Sequence, residues 1–126
     1  MYKIGIIDTI NNKGIELLES NNNFSYEIIT DLSRENLLTK LPKFDGVTLR
    51  RGKLDEEILN KCKNLKVIAR HGVGYDNVDT AFLKRNNITL LVTHNSTSTS
   101  PAEHVMFMIL NIYKGREMFH TMVRDG

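Results

Sequence analysis

A chain of 126 residues, 40% hydrophobic and 25% charged, has the make-up of one globular domain with a real core. Its net charge of +2 gives no ground for nucleic-acid or membrane-surface binding, and no stretch approaches the roughly 20 apolar residues of a membrane span. The single cysteine, Cys62, has no internal disulfide partner and reads as a small buried hydrophobe, so a cytoplasmic address is the default expectation.

In chain order, Lys3 to Asp8 is predicted as a buried strand, its apolar run too short for a signal peptide. Lys13 to Ser20 follows as a helix carrying Ile15, Leu17 and Leu18. Asn21 to Asn23 make a turn and Phe24 to Ile29 a second strand. Ser33 caps a short helix bearing Leu37, Leu38 and Leu41, which Pro42 stops. Val47 to Leu49 is the third strand. Asp55 caps Glu56 to Cys62, where acidic residues in the first turn suit the helix dipole. Val67 to Ala69 and Ile88 to Val92 are the fourth and fifth strands, with a helix from Val78 to Arg85 between them.

Strands alternating with helices at this spacing make βαβ units and a parallel sheet with helices on both faces. Five strands with four intervening helices fit a flavodoxin-like order. Ligands of such sheets bind beyond the carboxyl ends of the strands. Those ends carry Asp8 and Thr9, Arg50 and Arg51, the loop from His71 to Tyr75, and the loop from Thr93 to Thr99.

The last segment is a long apolar helix. Ser100 and Glu103 form an S-x-x-E capping box with Pro101 at the first helical position. Val105 to Tyr113 is apolar on every face, and such a helix must be buried all round. A five-stranded sheet covers one side. Four uncovered large side chains at roughly 1.5 to 3 kcal/mol each would strain a small domain's stability. Self-association through Val105 to Met122 is therefore expected.

The most informative stretch is His71 to Asp79, directly after the apolar run Leu65 to Ala69. Gly72 and Gly74 suggest a dinucleotide-binding turn, but Asn77 stands where a third glycine should pack helix on strand. No acidic residue follows about 20 positions on to hold a ribose. The run from Lys66 to Asp79 instead resembles the substrate loop of the D-isomer-specific 2-hydroxyacid dehydrogenases, above all the phosphoglycerate dehydrogenase branch. Thr93 to Ser96 and Ser100 to His104 match the same family at the expected distance, and Phe44 to Arg50 matches its third strand more loosely. The resemblance spans essentially the whole chain and implies the same flavodoxin-like fold.

Several residues are candidates for a site. Gly72, Val73 and Gly74 either form a tight strand-to-helix turn or offer successive amides to an anion. The resemblance implies the latter, with the amides on a substrate carboxylate and Val73 also near the nicotinamide end of NAD. Arg50 is either a solvated loop charge or a guanidinium for a carboxylate or phosphate. The resemblance puts it at a substrate-facing arginine, while Arg51 and Lys53 depart from the small hydroxyl residues usual there. Asn95 and Ser96 either approach the same cleft or bond their own backbone. Asp76 is expected to cap the following helix rather than to act chemically. His71, His94, His104 and His120 show neither metal spacing nor an acid–base partner, so neither a catalytic residue nor a metal site is assigned.

Two functional readings follow. In the first, residues 1–99 are the substrate-binding domain of an NAD-dependent D-2-hydroxyacid dehydrogenase, and residues 100–126 an interdomain and dimerisation helix. The NAD-binding domain would be absent and this polypeptide inactive alone. Its ligand would be a small 2-hydroxy or 2-oxo acid. In the second, the chain is a free-standing flavodoxin-like binding or regulatory module that dimerises through its last helix. A phosphoacceptor receiver fits worse, since the third strand ends in Arg50 and not an acceptor Asp.

Overall fold

The computed structural model describes residues 1–94 and 98–125. It divides into two compact units, Met1–His94 and the C-terminal helices.

The first unit is a five-stranded parallel sheet in the order β2-β1-β3-β4-β5. Its strands are β1 (Tyr2–Ile7), β2 (Phe24–Ile29), β3 (Gly46–Leu49), β4 (Val67–Arg70) and β5 (Thr89–Val92). The helices are α1 (Asn12–Glu19), α2 (Arg34–Lys40), α3 (Glu56–Lys61) and α4 (Thr80–Arg85), with a 3-10 turn at Leu41–Lys43 around Pro42. This is the doubly wound, flavodoxin-like arrangement that the alternation of elements predicts.

The two faces differ in cover. Ile7, Val47, Leu49 and Ile68 point to one side and join Leu37, Ile58, Leu59, Phe82 and Leu83 of α2, α3 and α4 in a single core. The opposite side carries α1, whose cap residue Asn11 and whose Gly14 lie by Thr48 and Ala69. No residue of α1 is buried, and on that side Ile28 and Leu91 stay 45% and 56% exposed. Cys62 is 4% exposed, its thiol donates to the Ile58 carbonyl, and burial pushes it up to about 11. It is a packing residue.

Local signals placed most boundaries well. The Asp55 carboxylate accepts from the Ile58 amide at 3.2 Å, capping α3 as expected. The start of α4 differs. The cap is Asp79, which accepts from the Phe82 amide at 2.9 Å, and not Asp76; the helix begins at Thr80 rather than Val78. The cause is a long-range pairing. Leu54 and Val78 form a parallel bridge, with the Leu54 amide donating to the Asn77 carbonyl at 2.8 Å and the Asp79 amide to the Leu54 carbonyl at 3.1 Å. A bridged Val78 stays extended, so the helix starts only after it.

The second unit corrects the expected single long helix. It holds α5 (Thr99–Tyr113) and α6 (Arg116–Asp125), separated at Gly115 with φ +55. That left-handed turn is the usual helix stop, and the amides of Lys114 and Gly115 return to the carbonyls of Leu110 and Ile112. The first helix also opens one residue before Ser100, with Ser98 at the cap position, so Ser100 lies inside the first turn. Pro101 fits that turn because its missing N–H has no helical acceptor there. The apolar residues of α5 from Val105 to Leu110 are 44–56% exposed, and Ile112 and Tyr113 more so. Among the described residues, no helix is long and apolar enough to cross a membrane.

Candidate functional site

The site is built on the carboxyl edge of the sheet. Ile7, Leu49, Arg70 and Val92 lie in register across β1, β3, β4 and β5. The next residue on each strand is therefore in line too: Asp8, Arg50, His71 and Thr93. The ladder continues through them, with the Arg50 amide donating to the Ile7 carbonyl at 3.4 Å and that of His71 to Leu49 at 2.8 Å. Four residues spread over 85 positions of sequence thus crown one edge.

Asp8 is the buried acid of this row, 7% exposed, with a left-handed φ of +74. Its Oδ2 accepts from Arg51 Nε at 2.6 Å and its Oδ1 from Arg51 Nη2 at 3.1 Å. The hydrogen bond from Arg51 holds the Asp8 carboxyl below its ordinary range, and the same bond raises Arg51. Arg50 is farther, with Nη1 at 3.7 Å from Asp8 Oδ2 and its side chain 49% exposed. The sequence-predicted Arg50 is therefore within ion-pair distance of Asp8 without a hydrogen bond to it, while Arg51 makes the bidentate pair.

The glycine loop is shaped by Arg70, a residue that sequence reasoning treated only as part of the motif. Arg70 Nη1 donates to the Leu49 carbonyl at 3.2 Å and to the carbonyl of His71. Gly72 has φ +143, and a Cβ there would lie 2.9 Å from Arg70 Nη1. Only glycine satisfies both limits without strain. Its amide donates to Thr93 Oγ1 at 2.9 Å, so this one of the three loop amides is engaged within the protein. Among the described residues, no hydrogen bond takes up the amides of Val73 or Gly74. Val73 is 45% exposed, and a Cβ on Gly74 would meet nothing closer than Asp76 Oδ2 at 3.8 Å.

The loop after β3 and the glycine loop are tied together. Asn77 Nδ2 donates to the Gly52 carbonyl at 2.6 Å, beside the Leu54–Val78 bridge. Asn77, which breaks the dinucleotide-binding pattern in sequence, is here a clamp between the two loops. A cleft of about 240 Å³ opens on the α1 side of the same sheet edge, lined by the cap residue Asn11, Gly14 of α1, and Thr48, Arg70, His71 and Thr93. Arg50 follows the end of β3 and Gly72, Val73 and Gly74 the end of β4, but none of the four lines this cleft; Asn95 and Ser96 lie outside the described residues. Among the described residues no group of three or more His, Cys, Asp or Glu side chains is placed to hold a metal ion.

Comparison with known proteins gives this edge a context. Residues 4–124 match the family model described as D-isomer specific 2-hydroxyacid dehydrogenase, catalytic domain. D-3-phosphoglycerate dehydrogenase of Archaeoglobus fulgidus is 31% identical over 125 residues, covering 98% of this chain and 24% of that protein. A solved structure from Pyrococcus horikoshii OT3 superposes with a TM-score of 0.85 at 27% identity, over all of this chain and 38% of that one. NAD+-bound 3-phosphoglycerate dehydrogenase of Entamoeba histolytica gives 0.74 at 27% identity, over 87% of this chain and 38% of that one. The chain therefore spans about a quarter to two fifths of the length of these relatives. It belongs to the D-isomer-specific 2-hydroxyacid dehydrogenase family, and residues 4–124 are that family's N-terminal catalytic-domain region.

Proposed function

We propose that this chain is the substrate-binding part of an NAD-dependent D-2-hydroxyacid dehydrogenase and holds the carboxylate of a small 2-hydroxy or 2-oxo acid. Residues 1–99 form the binding domain, and residues 100–126 join it to a nucleotide-binding domain and to a second copy. The observation that carries this reading is the carboxyl edge of the sheet, where Arg50 and His71 follow β3 and β4 in register and the Val73 and Gly74 amides of the next loop stay open. A guanidinium supplies a bidentate, charge-assisted pair for a carboxylate, and oriented amides add fixed dipoles. The resemblance implies Asn95 and Ser96 as further ligand contacts.

Of this chain's side chains, Val73 is the one assigned to the nicotinamide end of NAD, and its exposure suits an apolar contact there. When bound, NAD exchanges a hydride with C2 of the acid. This sequence has no glycine-rich pyrophosphate turn and no assigned acid–base histidine, so residues 1–126 orient a ligand without turning it over. The exposed apolar side chains of α5 support a homodimer through Val105 to Met122.

The test is an amide-resolved NMR titration of the chain with hydroxypyruvate. Shifts concentrated at Gly72 to Gly74, and lost in Arg50→Ala, are expected. Shifts scattered over the surface, or unchanged in Arg50→Ala, would remove the site. With NADH and hydroxypyruvate the purified chain should consume no NADH; turnover abolished by Gly74→Ala would overturn the assignment of a non-catalytic role.

A further inference from the structure

The reading above leaves Asp8 without a task, although it is the one buried charged side chain among the described residues. It sits between two adjacent guanidiniums that compete for a single oxygen. Arg51 Nε lies 2.6 Å from Oδ2, and Arg50 Nη1 3.7 Å from the same atom, outside hydrogen-bond reach. Arg51 also takes Oδ1, so its planar fork covers both oxygens of the carboxylate. The other cation of this loop, Lys53, acts on Asp55 instead, which Arg34 also engages. Asp8 thus chooses between Arg50 and Arg51 alone.

That choice decides what Arg50 can do. A buried carboxylate left unpaired is costly, so it recruits whichever cation is within reach. With Arg51 in place, Asp8 is satisfied and Arg50 keeps its donors for an external anion. Without Arg51, closing a gap of 3.7 Å would bring Arg50 onto Asp8 and tie up the donors an external anion needs. We infer that Arg51 is a positioning residue: it occupies Asp8 and so keeps Arg50 available to the carboxylate of a 2-hydroxy or 2-oxo acid, without touching that ligand itself. This rests on the assignment of Arg50 as the ligand's cationic partner. Arg51 suits the task because its fork already takes both oxygens of Asp8, and the carbonyl of the next residue, Gly52, accepts from Asn77.

The inference separates Arg51 from an ordinary ligand-binding or structural arginine through a double substitution. The variants are Arg51→Ala, Asp8→Asn, and Asp8→Asn with Arg51→Ala. Asparagine is chosen at position 8 because it tolerates φ +74 as aspartate does. In the full chain titrated with hydroxypyruvate and followed by NMR, Arg51→Ala should weaken binding about tenfold, the scale of one charge-assisted pair. The double variant should bind within about threefold of the parent, because no carboxylate remains to capture Arg50. A double variant as weak as Arg51→Ala would mean that Arg51 meets the ligand, and would overturn the inference. So would parental binding by Arg51→Ala.

A ligand-free arm keeps the two readings distinguishable. The Arg50 Nε–H resonance should shift in Arg51→Ala as Arg50 closes on Asp8, and should return in the double variant. An unmoved resonance sinks the inference even where Arg50→Ala abolishes binding and the functional reading stands. A moved resonance, with a parent chain that ignores hydroxypyruvate, upholds the Asp8 competition and removes the functional reading along with the availability that Arg51 would serve.

Discussion

Replacing Gly72 by alanine tests whether the glycine loop is shaped by the protein as described. Two separate costs add. At φ +143 an alanine is strained by about 1 to 3 kcal/mol. The new Cβ would also lie 2.9 Å from Arg70 Nη1 and 3.2 Å from its Cζ. The end of an arginine can swing away, but this one would leave the carbonyls of Leu49 and His71. Losing that charge-assisted bonding costs on the order of 1 kcal/mol once solvent screening is allowed for. The sum is about 2 to 4 kcal/mol. With a urea slope of about 2 kcal/mol per molar, the unfolding midpoint should fall by roughly 1 to 2 M, read by circular dichroism. Arg70→Ala with Gly72→Ala should show only the backbone part beyond Arg70→Ala itself, since the clash partner is gone. A Gly72→Ala midpoint within about 0.3 M of the parent would refute the reasoning on both counts. Gly74→Ala, with open space and no positive φ, should be nearly neutral in the same assay.

The two candidate caps of α4 can be told apart by stability: Asp79→Ala should cost about 1 kcal/mol and Asp76→Ala less than about 0.5 kcal/mol, and the reverse order would restore Asp76 as the cap. Acid should loosen the fold through paired carboxylates. Arg51 holds Asp8 low, Arg34 holds Asp55 low, and Lys40 with Lys43 holds Glu27 low. The unfolded chain then takes up protons first, so the stabilisation is complete above the usual values of 3.8 and 4.5 and fades as pH falls through the lower native ones. Urea midpoints that stay flat between about pH 6 and pH 3 would contradict this. Sedimentation should give a dimer at micromolar concentration that Ile109→Lys shifts towards monomer; a stable monomer in the parent removes the assembly.

The strand and helix order of the first unit, the parallel sheet and the family could all be read along the chain. Each depends on signals that are local or repeated: apolar runs of strand length, helix caps such as Asp55, and the motif from Lys66 to Asp79. The positions of Arg50, Gly72, Val73 and Gly74 at a strand edge followed from the same alternation. Choices between near-equivalent neighbours were settled only by contacts distant in sequence. Asp79 rather than Asp76 caps α4 because Leu54, distant in sequence, holds Val78 extended. Arg51 rather than Arg50 takes Asp8, 43 residues away, and nothing in a pair of adjacent arginines reveals which. Arg70 became a wall for Gly72 only once β3 lay beside β4, and Thr93 an acceptor for its amide only once β5 did. The break at Gly115 was the exception, a local helix stop that the strong apolar run on one side of it obscured. Periodicity and caps act through a few neighbouring residues and so can be read along the chain. Partner choice among polar groups turns on differences of about an ångström across a sheet, and only the folded register sets those.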